Sequence, residues 1–359
     1  MNIKRIAATI LSLTIAVGGL SVADHILKYR SNHGVKQCIA MYQQPKNSID
    51  VAFMGSSHIH YGVNTAKLWE NYGIAAFDYS TAEQPLWVTY YCMKELYKTQ
   101  NPNIIVLDCF VPAAIDDNYK FKYTHFADTL NGFKFSLNKL KLMYVAFDNR
   151  KDNWNKFFPV FFGYHDRYDK LTDFDKEALE IDYHNYKGFV PYFNDSPGPV
   201  PEVNMDVIEP PTEKSQEYLQ KIFDLTKEHG TKLYLTVVPY HVNSEMVTDV
   251  IQSEDTKYNW INQYVLQKNE EGYDNVLFDY TMTHLEDIGL DWEGGTDIYD
   301  ESHLNLRGSY KFADYIAGRL RDTYGQEMVP DHRGDERYST WDAHVEMIKE
   351  IAAENGVEW

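Results

Sequence analysis

Residues 51–62 read VAFMGSSHIHYG. Four apolar residues run into Gly55, and two serines and two histidines come next, before another glycine. A short apolar run stopped by glycine fits a buried strand, and the segments beyond it set the fold. The stretch 64–73, NTAKLWENYG, carries a helix N-cap residue and helical spacing that closes on Gly73. IAAFDYS (74–80) reads as a second strand and QPLWVTYYCMKELYKTQ (84–100) as an amphipathic helix with proline near its start. NIIVLDCF (103–110) is a third strand. Strand and helix alternating at this spacing predict parallel β-α-β units.

Farther along, EKSQEYLQKIFDLTKEHG (213–230) is a helix closed by glycine and TKLYLTVVP (231–239) a strand. A helix around 256–269, the strand NVLFDY (275–280) and a last amphipathic helix at 305–325 complete the alternation. The expected fold is α/β, a three-layer α/β/α sandwich around a five-stranded, mainly parallel sheet. Residues 111–211, rich in Phe, Tyr, Asp and Asn and ending in the proline-rich 193–211, read as an insertion packed over the sheet. The expected organisation is an N-terminal segment 1–28, a linker 29–49, the α/β domain 50–325, and a tail 326–359 with a surface helix.

The N-terminal segment places Lys4 and Arg5 before an uncharged run from Ile6 to Ala23. That length suits a signal peptide or a single membrane span, and the flanking positive charges predict export of the rest of the chain. Ser21-Val22-Ala23 offers a cleavage site, whereas the helical pattern running on through HILKYR favours an uncleaved anchor. The expectation is a single-pass membrane protein with its domain outside the cytoplasm, or a secreted one if the segment is removed.

Charge narrows the partners. With 34 Lys and Arg against 53 Asp and Glu, the 359-residue chain carries a formal charge of −19, which disfavours nucleic acid. The 28 tyrosines suit carbohydrate or amphipathic ligands, although they fit an aromatic core equally well. Cys38, Cys92 and Cys109 are odd in number and lack a C-x-x-C spacing, so neither a disulfide framework nor a thiolate zinc site is expected.

Reactive groups in parallel α/β sheets collect where strands end and helices begin. A serine just after Gly55 stands at such an edge, near amides that favour developing negative charge; its simpler role is to cap the next helix. An alcohol also needs a base. Of the 13 histidines only His303 has an aspartate three residues earlier, Asp300 in DESH, and that pair lies in the loop entering the last helix. Asn305 or the turn after it is placed to cap that helix.

A serine in GSS after the first strand and DESH before the last helix resemble the first and last blocks of the SGNH/GDSL hydrolase superfamily. GSSH, KLYLTVVPYH and DESHLNLRGS are similar to its extracytoplasmic, membrane-anchored branch, which includes the teichoic-acid D-alanyl transfer protein and the alginate-acetylation proteins. The resemblance spans about residues 50 to 325 and fits the insertion poorly. It implies Ser57 as nucleophile, His303 as general base and Asp300 as its orienter, with no metal or organic cofactor. It also implies an acylated glycan or cell-wall polymer as substrate and a membrane-bound O-acyltransferase as partner. Where the family commonly has a glycine and an asparagine as oxyanion donors, this chain has DYSTAEQP and LDCFVPAA. The Ser57 amide remains a donor, and Ser80, Thr81 or Gln84 are candidates for another.

The expected function is a serine esterase or O-acyltransferase acting on acyl esters of surface polymers. A non-catalytic module of the same fold, accessory to a membrane acyltransferase, is the alternative. A metal hydrolase built on His58 and His60 would need further ligands, for which His241 and Asp279 are distant candidates. Otherwise His58 packs beside the site and His60 faces solvent. His165 and Arg167, in GYHDRYDKL, are candidates for binding an anionic substrate group or for a salt-bridged loop.

Overall fold

The computed structural model describes residues 3–27, 33–117, 119, 123–146, 170–172, 182–240 and 250–359. Its centre is one five-stranded parallel sheet in the order β2-β1-β3-β4-β5. The strands are β1 (Val51–Gly55), β2 (Ala76–Ser80), β3 (Ile104–Asp108), β4 (Lys232–Thr236) and β5 (Val276–Asp279). Every residue of β1, β2 and β3 is buried, as expected for strands covered by helices on both faces. In register, β1 pairs Val51 with Ala76 and Gly55 with Ser80 on one side, and Val51 with Ile104 on the other. The chain therefore leaves β1 for one flank and returns to the other. That reversal opens a crevice at the carboxyl ends of β1 and β3.

Around the sheet stand α3 (Ser57–Gly62), α4 (Thr65–Tyr72), α5 (Leu86–Leu96), α6 (Phe110–Ala114), α7 (Tyr123–Gly132) and α8 (Leu137–Val145). They are followed by α9 (Glu213–His229), α10 (Val250–Glu270), α11 (Leu285–Ile288), α12 (Leu306–Tyr324) and α13 (Ser339–Glu354). Local signals set their ends. Asn64 caps α4 by accepting from the Lys67 amide, and Gly73 closes it in the left-handed region at φ 68°. Asn305 caps α12 in the same way, through Gly308.

Two elements at the ends of the chain pack on the domain. The stretch read as a linker or short helix holds α2 (Val35–Gln43), whose Cys38, Ala40 and Met41 are buried and which packs on β2 and α7. The tail helix α13 is not purely a surface element. Trp341 is wholly buried and donates its indole N–H to the Ala76 carbonyl at 3.0 Å, so α13 closes over β2. Val345, Ile348 and Ala352 are buried on the same face as Trp341 and His344. Of the insertion, residues 182–198 cross the carboxyl edge of the sheet as an irregular strap. Val190 N–H bonds to the His60 carbonyl, Tyr192 carbonyl accepts from Leu306 N–H at 2.7 Å, and Ser196 N–H bonds to Ile298.

Before the domain, α1 (Ile3–Leu27) is a 25-residue apolar helix with no buried residue, long and apolar enough to cross a membrane or to serve as a signal sequence.

Candidate functional site

Gly55 ends β1 with φ 142°, a conformation that L side chains rarely adopt, and a Cβ there would stand 2.9 Å from the Cβ of Asp108. The glycine thus lets the β1 turn press against the end of β3. Ser56 follows as the N-cap of α3: its hydroxyl accepts from the His58 amide and donates to Asp108 Oδ2 at 3.2 Å. The other Asp108 oxygen accepts the Val238 amide at 3.2 Å. Burial pushes the Asp108 carboxyl up to about 7, against the lowering effect of these donors. Asp108 thereby ties β1, β3 and the segment after β4 into one corner.

Ser57, the first residue of α3 and partly exposed, faces the crevice. Its hydroxyl lies 2.8 Å from His303 Nε2. His303 Nδ1 lies 2.8 Å and 3.0 Å from the two oxygens of Asp300. With Nδ1–H donating to Asp300, the neutral imidazole presents the Nε2 lone pair to the serine hydroxyl. Burial raises the Asp300 carboxyl, but the His303 ring and the amides of Ser302 and His303 outweigh it and leave the group below its ordinary value. His303 and Asp300 share one short loop, pinned by Tyr299 N–H to His303 carbonyl at 2.9 Å and by the Ile298–Leu304 bridge. The site opens to solvent: the side chains of His303 and Asp300 are 17% and 38% exposed.

The His-x-His is divided between different surroundings. His58 stacks on Phe110 with ring centroids 3.8 Å apart and meets His303 edge-on at 5.3 Å. His60 does not face solvent. It is fully buried, because α3 turns it back under the sheet edge, where its Nδ1 lies 2.9 Å from the Ser80 hydroxyl. Burial, and then neighbouring imidazoles, hold both rings well below the ordinary histidine range, so both are neutral. Among the described residues, no group of three His, Cys, Asp or Glu stands where a metal could be held.

The side-chain oxyanion candidates are already engaged. Ser80 is bound to His60, and the buried Gln84 amide donates to Thr89 while its carbonyl accepts from Thr81. The Ser57 amide, at the first turn of α3, has no acceptor within its own helix. His165, Arg167 and His241 lie outside the described residues. Asp279 belongs to a separate cluster, receiving Arg319 Nε at 3.0 Å.

Three groups lining the crevice escaped the sequence reading. Tyr61 meets His303 edge-on at 4.9 Å, stacks on Tyr192 at 4.0 Å, and accepts a hydrogen bond from the Tyr192 hydroxyl at 2.7 Å. Tyr192 in turn stacks on Tyr299 at 3.7 Å. His33, from the segment before α2, places Nδ1 2.7 Å from the Tyr61 hydroxyl. Only the spacing of Tyr61 from Ser57, one helical turn, was visible in advance; Tyr192 and His33 arrive from remote segments without a motif.

No protein-family model matches this sequence, and no curated protein sequence matches it. Among solved structures, the chain is similar to one from Bacteroides fragilis NCTC 9343 described as a "putative acylhydrolase", at 11% identity over 79% of this chain and 93% of that one. The TM-score of 0.39 makes this a distant likeness from which no residue role is transferred.

Proposed function

We propose that this chain is a serine-dependent acyl-transfer enzyme, an esterase or O-acyltransferase. One observation carries the reading: an unbroken hydrogen-bonded series from the Ser57 hydroxyl through His303 to Asp300, at an open sheet edge. In the first step Ser57 Oγ bonds to the ester carbonyl carbon while its proton passes to His303 Nε2. Asp300, kept ionised, stabilises the imidazolium. The carbonyl oxygen gathers negative charge beside the Ser57 amide. The ester C–O bond then breaks, and the leaving oxygen takes the proton from His303. Water or a sugar hydroxyl reverses the sequence and releases the acyl group.

The aromatic wall of Tyr61, Tyr192 and Tyr299 supports a carbohydrate-bearing substrate, and α1 supports a location at the cell membrane with the domain outside. An acylated surface glycan or cell-wall polymer, with a membrane-bound O-acyltransferase as partner, is the substrate and partner implied by the resemblance to membrane-anchored SGNH proteins. The engagement of Ser80 and Gln84 favours a second reading, a non-catalytic module that keeps the fold and binds polymer.

A fluorophosphonate probe separates the two. The full chain is expected to label at Ser57, and Ser57→Ala to abolish labelling while Ser56→Ala retains it. Labelling that survives Ser57→Ala overturns the nucleophile; a folded wild-type chain that never labels and turns over no ester leaves the binding module standing.

A further inference from the structure

A region outside the triad carries an apolar face of its own. Phe135 is 84% exposed and Leu137 77% exposed, and Leu140 joins them one helical turn later on α8. Monomeric surfaces seldom leave such residues together without use. The charge around them is unlike the rest of the chain. Between Lys134 and Ala146 there are three lysines and no acid, in a protein with 53 acidic residues against 34 basic ones. Lys134 and Lys141 are exposed at this corner.

Position identifies the occupant. Gly132, the last residue of α7, packs so tightly on α2 that a Cβ there would lie 2.4 Å from Cys38 Cβ. Lys134 lies over the ring of Tyr42 at 4.5 Å, also on α2. The α7–α8 corner is therefore fastened to the element at which the chain enters the domain. His33 stands only six residues beyond Leu27, the end of α1, and six residues span at most about 20 Å. With α1 in a membrane, the corner lies close to the bilayer surface. Apolar side chains rimmed by lysines match the boundary between acyl chains and anionic headgroups.

We infer that Phe135, Leu137 and Leu140, with Lys134 and Lys141, form a second membrane contact that docks on an anionic bilayer beside the anchor. The domain is then held at two points, which fixes its tilt. The inference stands on α1 spanning the membrane and is independent of the acyl-transfer chemistry.

Its test uses the full chain in vesicles of phosphatidylglycerol and phosphatidylcholine. The native cysteines are buried, so Leu137→Cys and Leu140→Cys take an environment-sensitive fluorophore selectively. Leu266→Cys, at an exposed apolar position on α10, is the reference. The labels at 137 and 140 are expected to shift to the blue, to lose most of their emission to a doxyl-lipid quencher and to resist aqueous iodide; the label at 266 behaves in the opposite way. Lys134→Gln with Lys141→Gln is expected to reduce the lipid quenching in anionic vesicles. Iodide access at 137 equal to that at 266 overturns the inference. Shielding that persists in detergent and follows protein concentration also overturns it, in favour of a second copy on this face.

Discussion

Ser57 and Thr65 each set a hydroxyl against an imidazole, at nearly the same distance. At the sheet's carboxyl edge, Ser57 meets His303 at 2.8 Å; between α4 and α13, Thr65 meets His344 Nε2 at 2.9 Å. The second pair is entirely buried, and the other side of its ring faces the backbone of Asn185. Burial, with Lys187 and Lys36 nearby, drives His344 well below the ordinary range. The first pair is open and carries a carboxylate on its far nitrogen. Contact distance alone therefore does not distinguish a reactive pair from a packing device. What separates them is a carboxylate on the far ring nitrogen, and access to solvent.

The sharpest test is to disable each pair in turn. His303→Ala is expected to lower ester turnover by about 10⁶-fold, the scale on which other serine triads respond. Thr65→Ala is expected to lose about 1–3 kcal/mol of stability with fluorophosphonate labelling intact. Loss of labelling in a folded Thr65→Ala protein would erase the distinction between the pairs. Next in size, Asp300→Asn leaves the loop in place but removes the charge and the fixed tautomer, and turnover should fall about 10⁴-fold.

The buried side offers a contrasting carboxyl. Asp78 is wholly buried on β2 with neither oxygen partnered, and burial raises it well above its usual range. The folded form keeps its proton at pH values where the unfolded chain, with Asp near about 3.9, has released it. Stability is then lost as pH rises above that value, by up to about 1.4 kcal/mol per pH unit, until the folded group also ionises. Asp78→Asn should flatten this slope and raise stability at neutral pH. Urea unfolding at pH 5 and pH 7 measures it; parallel slopes in the two proteins would refute the protonated carboxyl. Smallest of all, Ser56→Ala removes a cap and one donor to Asp108, costing about 1 kcal/mol in unfolding experiments while Ser57 still labels.

The parallel sheet was legible because its strands are short apolar runs punctuated by glycine, proline and helix caps, all of which are local signals. Ser57, Asp300 and His303 were legible for the same reason: each lies at a crossover between strand and helix, and the last two share one loop. His60 was misplaced because its cover comes from remote segments: Ser80 on β2 meets its ring and Val190 of the strap its carbonyl. Gln84 reads as a free donor in sequence, yet its partners Thr81 and Thr89 absorb it. Asp108 ends an ordinary apolar run, and nothing in LDCF announces that it clamps Ser56. Tyr192 and His33 reach the crevice only through tertiary packing, which no local pattern encodes.

The serine and its base are separated by 246 positions along the chain. A polypeptide made from its N-terminus exposes Ser57 long before the loop bearing His303 exists. The strap and α12 must then close over α3 before the two side chains meet. During synthesis the hydroxyl therefore has no imidazole beside it, and a chain truncated before His303 holds no such pair. Completion of the last third of the polypeptide is what assembles the pair.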